Sequence, residues 1–230
     1  GRYSGDGRTT EVRNPIAGFA AMMTKLDDDI GALLALLAEL GIENETIVML
    51  SSDNGPHREG GHDPGFWNSS GPLRGGKRSL YDGGIRVPFL ARWPGRIAPG
   101  RTSEVISAHW DVLPTLCELA GTAPRPDTDG VSLVPTLTGE GTQVQHEYLY
   151  WEFYELDGKR ALRMGRWKAV RNGLRDDPAA PIELYDLAGD VGESHDVAAA
   201  HPDIVARAEE LFRAEHTPDS RWQYRPPRRR

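Results

Sequence analysis

The chain has 230 residues, of which 38% are hydrophobic and 27% charged, enough for one large domain or one and a half ordinary ones. Its net charge of −7 gives no general attraction to nucleic acid, and no apolar run approaches the roughly 20 residues that cross a bilayer. We therefore expect no nucleic-acid partner and no membrane span. A single cysteine, Cys117, excludes an internal disulfide bond.

The first half of the chain has the pattern of an α/β domain. Residues 1–14 are polar and are predicted to form a loop, and a helix is predicted from Pro15 to about Leu40 because apolar residues recur there at three- and four-residue spacing. Residues 46–51 are short, β-branched and nearly all apolar, which predicts a strand buried on both faces of a parallel sheet. A second strand is predicted over 87–93, and a helix over 109–120 follows.

The pattern changes near residue 122, after which strands rich in Tyr, Trp and Val are predicted. They cover residues 147–155, 160–171 and 183–186, and a final amphipathic helix runs from Pro202 to about His216. Strands followed by one covering helix predict a small α+β subdomain with an antiparallel sheet. We expect residues 1–122 to be half of a doubly wound α/β domain and residues 123–230 to be this subdomain, ending in a basic, proline-containing tail (225–230) that is predicted to be disordered.

Two polar side chains directly follow the predicted strand at 46–51. Asp53 and Asn54 lie where ligands bind in open parallel sheets, beyond the carboxyl end of a strand. Both supply hard oxygen ligands, which points to Ca²⁺ or Mg²⁺. The alternative is structural, because Asp-Asn-Gly is also a good turn in which each side chain bonds its own backbone.

A cationic amine follows on a glycine-rich turn, Gly71-Pro72-Leu73-Arg74-Gly75-Gly76-Lys77. Lys77 carries a compact point charge suited to one oxygen of a sulfate or phosphate, and the preceding glycines allow the backbone to approach a ligand closely. The alternative is an ordinary solvated lysine. Arg74 could contact an anionic substrate or pair with a neighbouring carboxylate.

The loop between these two segments contains His57 and His62. Either imidazole could act as a general acid for a leaving alcohol or as a hydrogen-bond donor to substrate. An exposed loop histidine without such a role is an equal alternative. We treat both as candidate substrate-binding residues.

Several motifs, in order along nearly the whole chain, resemble the arylsulfatase-type sulfatases of the alkaline-phosphatase-like superfamily. The resemblance rests on the segments at 51–55 and 71–77 and on Tyr81-Asp82-Gly83-Gly84-Ile85-Arg86-Val87-Pro88, Trp93-Pro94-Gly95, Asp111-Val112-Leu113-Pro114-Thr115-Leu116, Asp129-Gly130-Val131-Ser132-Leu133 and Glu183-Leu184-Tyr185-Asp186-Leu187. It implies that Asp53 and Asn54 are calcium ligands and that Lys77 contacts the sulfate in catalysis.

The same resemblance implies a formylglycine nucleophile, made from the Cys or Ser of a Cys/Ser-x-Pro-x-Arg motif. We expect no such motif in this chain, because Cys117 is followed by Glu118-Leu119-Ala120-Gly121. The chain is therefore expected to be a fragment of a sulfuric ester hydrolase that acts on a sulfated carbohydrate or a small sulfate ester and is inactive alone. Localisation stays open, since any export signal would lie upstream.

Two alternatives remain from the sequence. One is a phosphate or phosphonate ester hydrolase of the same superfamily. The other is a non-catalytic chain, either a truncated product or a binding module that keeps an oxyanion-sized cleft.

Overall fold

The structure is a computed structural model and describes residues 2–4, 9–11 and 13–221. Two compact units are formed: one comprises residues 1–52, 57–68 and 88–146, and the other residues 53–56, 69–87 and 147–230. Both units are discontinuous in sequence, so the division of the chain at residue 122 stays a prediction. The predicted disordered tail at 225–230 lies outside the described residues.

The first unit contains the long amino-terminal helix. Two short antiparallel strands, β1 (Arg2–Ser4) and β2 (Thr9–Glu11), precede helix α1 (Pro15–Glu39). The prediction of a loop is therefore wrong for the paired strand residues. These strands are mostly polar, so their sequence lacks the alternation of apolar and polar residues that predicts a strand. Asn14 caps α1 by accepting a hydrogen bond from the Ala17 N–H at 3.1 Å.

The rest of the first unit is a small sheet with two short helices. Strand β3 (Val48–Ser51) pairs antiparallel with β4 (Phe89–Arg92), and helices α3 (Val112–Leu119) and α4 (Val134–Thr138) follow. Helix α2 (Asp82–Ile85), which lies between the two strands in sequence, belongs to the other unit. The predicted strand at 46–51 is thus present, but the expected parallel, doubly buried environment is not: among the described residues β3 pairs only with β4, and Leu50 is 39% exposed.

Apolar side chains of α1 and of this sheet remain at the surface of the first unit. Helix α1 buries none of its described residues, and Met22 is 72% exposed and Leu33 63%. The amphipathic stripe that predicted the helix therefore has no covering layer within the described residues. No helix in the described ranges is both long and apolar enough to cross a bilayer.

The second unit is built on a four-stranded antiparallel sheet. Its strands are β5 (Leu149–Phe153), β6 (Lys159–Met164), β7 (Trp167–Asn172) and β8 (Glu183–Asp186), in the order β5-β6-β7-β8. Helix α5 (Pro202–Ala214) closes the chain. The antiparallel sheet with a covering helix agrees with the prediction, although the run at 160–171 is two strands joined at Gly165 and Arg166.

Alternation along the strands gives this sheet two apolar faces. Leu162, Ala169 and Leu184 pack on one face against Ala208, Leu211 and Phe212 of α5. The neighbouring residues Ala161, Val170 and Tyr185 point to the opposite face and pack against Leu80. Helix α5 therefore covers one face of the sheet, while the glycine-rich segment 69–87 covers the other. The second contact places Lys77 next to the carboxyl-terminal sheet.

Candidate active site

Backbone hydrogen bonds fasten the Asp53–Pro56 segment to the glycine-rich segment. The Lys77 N–H donates to the Pro56 carbonyl at 2.9 Å, and the Gly55 N–H donates to the Gly84 carbonyl at 2.9 Å. These bonds bring Asp53 and Asn54 close to Lys77, which follows more than twenty residues later in sequence.

Glycine is required at two points of this contact, where the two backbones touch, and at Gly84, where the glycine-rich segment touches itself. A Cβ added at Gly55 would lie 1.8 Å from the Gly83 carbonyl oxygen, and one at Gly76 would lie 2.6 Å from that of Pro56. At Gly84 an added Cβ would lie 2.2 Å from the Ser79 oxygen. These are distances at which the backbone must move, so any larger side chain here would separate Lys77 from Asp53.

Asp53, Asn54 and Lys77 line one cavity of about 370 Å³. Segment 77–85 supplies much of its wall, and β5 supplies the rest through Trp151, Glu152 and Phe153, with Glu155 beyond the strand end. Asp53 is exposed and Lys77 half-buried. A carboxylate, an amide and an ammonium therefore share a cleft large enough for a small ester.

The oxygen chemistry of Asp53 and Asn54 fits a hard divalent cation. The Asn54 amide nitrogen donates to the Gly55 carbonyl at 2.9 Å, so the amide oxygen is the atom with ligand chemistry. Two residues do not complete a calcium sphere, which takes six to eight oxygens. Within the described residues no group of three or more His, Cys, Asp or Glu is placed to hold a metal ion.

A buried charge cluster holds the turn that follows Lys77. Lys168 on β7 lies 2.8 Å from Asp82 Oδ1 at the start of α2, and Glu193 Oε2 accepts the Asp82 N–H at 2.7 Å. Lys168 and Glu193 are 0% exposed and Asp82 is 5% exposed. Burial raises the pKa of the Glu193 carboxyl to about 7, against the opposing effect of Lys168. Sequence analysis missed this cluster, because nothing local marks Lys168 as an inward-facing strand residue.

Arg74 lies in the same unit but its guanidinium has several partners there. It donates to the Tyr185 hydroxyl and to the Glu193 carbonyl, each at 2.8 Å, and lies 3.8 Å from the Tyr81 ring centroid. Glu183 is 4.0 Å away. Arg74 is not among the residues that line the cavity. Arg74 was expected either to contact an anionic substrate or to pair with a neighbouring carboxylate. The contact with Glu183 favours the second interpretation.

The two histidines belong to the first unit. His57 Nδ1 accepts a hydrogen bond from the Glu59 N–H at 3.0 Å, and its ring is 6.3 Å from that of His62. His62 is only 8% exposed and stacks on Phe19 of α1 at 4.0 Å. Burial, followed by the charge of His57, lowers the pKa of His62, and neither of its ring nitrogens has a hydrogen-bond partner among the described residues.

Comparison with known proteins gives the chain its family. A protein-family model described as sulfatase matches residues 2–122, and a second, described as N-sulphoglucosamine sulphohydrolase, C-terminal, matches residues 75–213. The first match covers more than half of the chain. The chain belongs to the sulfatase family.

Individual sulfatases match over most of the chain. Human arylsulfatase A is 36% identical over 89% of the chain and 44% of its own length. An N-acetylgalactosamine-6-O-sulfatase of Bacteroides thetaiotaomicron is 30% identical over 85% of the chain and 41% of its own length. The crystal structure of a phosphonate monoester hydrolase of Agrobacterium radiobacter superposes with a TM-score of 0.64 at 27% identity, over 85% of the chain and 40% of that structure. The chain thus spans less than half the length of these relatives.

Sulfatases generally use a formylglycine residue and a divalent metal ion. The expected absence of the precursor motif needs a correction, because Ser70-Gly71-Pro72-Leu73-Arg74 does satisfy Ser-x-Pro-x-Arg. In the structure the Ser70 hydroxyl donates to the Gly75 carbonyl at 3.1 Å, and Arg74 has the contacts described above. These residues form the turn that leads to Lys77, and we do not assign Ser70 the role of the nucleophile.

Proposed function

We propose that this chain supplies the metal-ligand and sulfate-binding portion of a sulfatase active site that acts on a sulfated carbohydrate. The observation that carries the proposal is the single cavity lined by Asp53, Asn54 and Lys77. The carbohydrate assignment is supported by the similarity to the N-acetylgalactosamine-6-O-sulfatase.

Each residue has a defined part in this proposal. Asp53 and Asn54 hold Ca²⁺ through their side-chain oxygens, with Mg²⁺ the second choice. The bound cation supplies fixed positive charge for a sulfate oxygen. Lys77 places its ammonium against another sulfate oxygen and offsets the negative charge that builds up as the ester S–O bond breaks. His57, His62 and Arg74 remain predicted substrate contacts, and the formylglycine is expected outside these 230 residues.

A second candidate is a phosphonate or phosphate monoester hydrolase, favoured by the structural likeness to the Agrobacterium enzyme. The test compares hydrolysis of an aryl sulfate, a sulfated sugar and an aryl phosphonate monoester by the full-length protein that carries this chain. The proposal expects kcat/KM to be highest for a sulfate ester and to fall for it in Asp53→Ala. A higher kcat/KM for the phosphonate would replace the sulfatase assignment with the second candidate. If the unaltered full-length protein hydrolyses none of the three esters, the result would favour a non-catalytic chain.

The 230-residue chain itself should bind Ca²⁺ weakly. Asp53 and Asn54 supply only part of the six to eight oxygens that calcium takes, so calorimetric titration should show no tight site. Submicromolar binding that disappears in Asp53→Ala would mean that the remaining ligands are present in this chain. Asp29→Ala on the exposed face of α1 is the matched control, because among the residues that the structure describes that carboxylate forms an ion pair only with Lys25.

A further inference from the structure

Two aromatic residues of the carboxyl-terminal sheet line the cavity that contains Lys77. Trp151 and Phe153 are two residues apart on β5, so their side chains point to the same face. That face packs against Leu80 and Ile85 of the glycine-rich segment, and all four residues line the cavity. The apolar part of the site is therefore made jointly by two segments some seventy residues apart.

Glu152, between these aromatic residues, has its carboxylate engaged elsewhere. It lies 2.8 Å from Arg160 and 2.8 Å from His216, and it accepts hydrogen bonds from the hydroxyls of Tyr150 and Tyr154. Glu152 thus contributes to the wall of the cavity without presenting an uncompensated charge there. The charged groups that remain at the cavity are Asp53, Lys77, Arg78 and Glu155.

Arg78 and Glu155 form an ion pair at this cavity, with Arg78 Nε 3.4 Å from Glu155 Oε2. Arg78 has a φ of 72°, a left-handed conformation that is uncommon for a residue with a side chain. Such backbone strain clusters at ligand sites, where the surrounding structure maintains it. As a unit the pair is neutral and offers both a donor and an acceptor, which suits hydroxyl groups better than a second anion.

We propose that Trp151 and Phe153 form the platform for the sugar ring of a singly sulfated pyranoside, with the Arg78–Glu155 pair receiving its hydroxyl groups. The inference rests on the proposed function, since Lys77 and Asp53 would hold the sulfate in the same cavity. A volume of about 370 Å³ is near the lower end of the range for small-molecule sites and suits one sulfated ring. Aromatic faces beside a few polar groups are the usual composition of such a site.

The test measures two constants in the full-length protein that carries this chain. These are KM for N-acetylgalactosamine 6-sulfate and Ki for inorganic sulfate, which has no ring to place on the platform. Trp151→Ala should raise KM about tenfold, the effect of losing one aromatic contact, and leave the Ki for sulfate unchanged. Trp151→Phe should restore most of the affinity. Trp167→Ala is the matched control, because Trp167 is a half-buried tryptophan of the same sheet that does not line this cavity.

The outcomes separate the two proposals. If Lys77→Ala leaves the Ki for sulfate unchanged, the anion site and thus the proposed function fail. If Lys77→Ala raises that Ki but Trp151→Ala changes KM no more than Trp167→Ala does, the anion site stands and the platform is wrong. Should Trp151→Ala raise KM and the Ki for sulfate equally, the tryptophan supports the fold of the cavity instead of contacting the sugar. Thermal unfolding of each variant identifies a protein that has failed to fold, and Trp151→Phe then decides the question.

Discussion

Replacing Lys77 by alanine in the full-length protein that carries this chain should lower kcat for a sulfate ester about 10²–10³-fold, the usual effect of removing one preorganised charge donor. The ammonium acts where negative charge develops, so its loss should reduce kcat as well as weaken binding. Steady-state hydrolysis of an aryl sulfate and a sulfated sugar, with calcium present, measures both constants.

Two further variants make this expectation specific. Lys77→Arg should not restore activity, because a planar guanidinium does not replace a compact ammonium at a position where the Lys77 N–H is bonded to the Pro56 carbonyl. Lys25→Ala, an exposed lysine of α1, should leave kcat unchanged. The 230-residue chain alone should show no turnover. Hydrolysis by the purified chain that disappears in Asp53→Ala would overturn the interpretation that this is only part of an active site.

Replacing Lys168 by alanine should destabilise the second unit by about 3–5 kcal/mol, because it removes the buried cation nearest to the Asp82 carboxylate and leaves, among the described residues, only Arg86 and Arg163, each 3.8 Å away. The ammonium lies 2.8 Å from Asp82 and 3.9 Å from Glu193, and all three side chains are buried. Denaturant unfolding of the chain at neutral pH measures the loss. The matched control is Lys25→Ala, whose exposed pair with Asp29 should contribute less than about 1 kcal/mol. Equal losses in the free energy of unfolding for the two variants would show that the buried cluster contributes no more than an exposed ion pair.

The same cluster should give stability a dependence on pH. The pKa of Glu193 is raised from 4.5 to about 7, so the folded state retains a proton that the unfolded state has already released. The contribution of Glu193 to the free energy of unfolding therefore falls as the pH rises from 4.5 to about 7. Glu193→Gln should remove this slope, and Lys168→Ala should extend it upward because Lys168 opposes the shift. An unchanged slope in Glu193→Gln would assign the pH dependence to other groups.

Local pattern predicted the elements of this chain well. Helices α1 and α5 were expected from apolar spacing, and the strands at 48–51 and 183–186 from their composition. The Gly-Gly-Lys turn singled out Lys77, whose role in the site stays a proposal. The antiparallel sheet covered by α5 followed from strand composition and from the amphipathic helix that comes after the strands. These features depend on side chains close together in sequence, where the helical period and strand alternation are visible.

The missed features depend on contacts between distant residues. Lys168 alternates with apolar neighbours on β7, but its burial requires Asp82, which is 86 residues away in sequence. The packing of segment 69–87 on the sheet face formed by Ala161, Val170 and Tyr185 has the same origin. The environment of β3 was predicted wrongly because an all-apolar strand indicates burial without saying which strands will cover it. Trp151 and Phe153 at the cavity could have been suspected only as a same-face pair.

We propose that Asp53, Asn54 and Lys77 serve one metal-assisted oxyanion site. The decisive experiment is anomalous diffraction from crystals of the full-length protein grown with calcium and selenate. We expect a calcium peak coordinated by the Asp53 and Asn54 oxygens and a selenate peak within hydrogen-bond distance of Lys77 Nζ, in the cavity that Trp151 also lines. Selenate bound elsewhere, with Lys77 directed into solvent and no metal at Asp53, would contradict it.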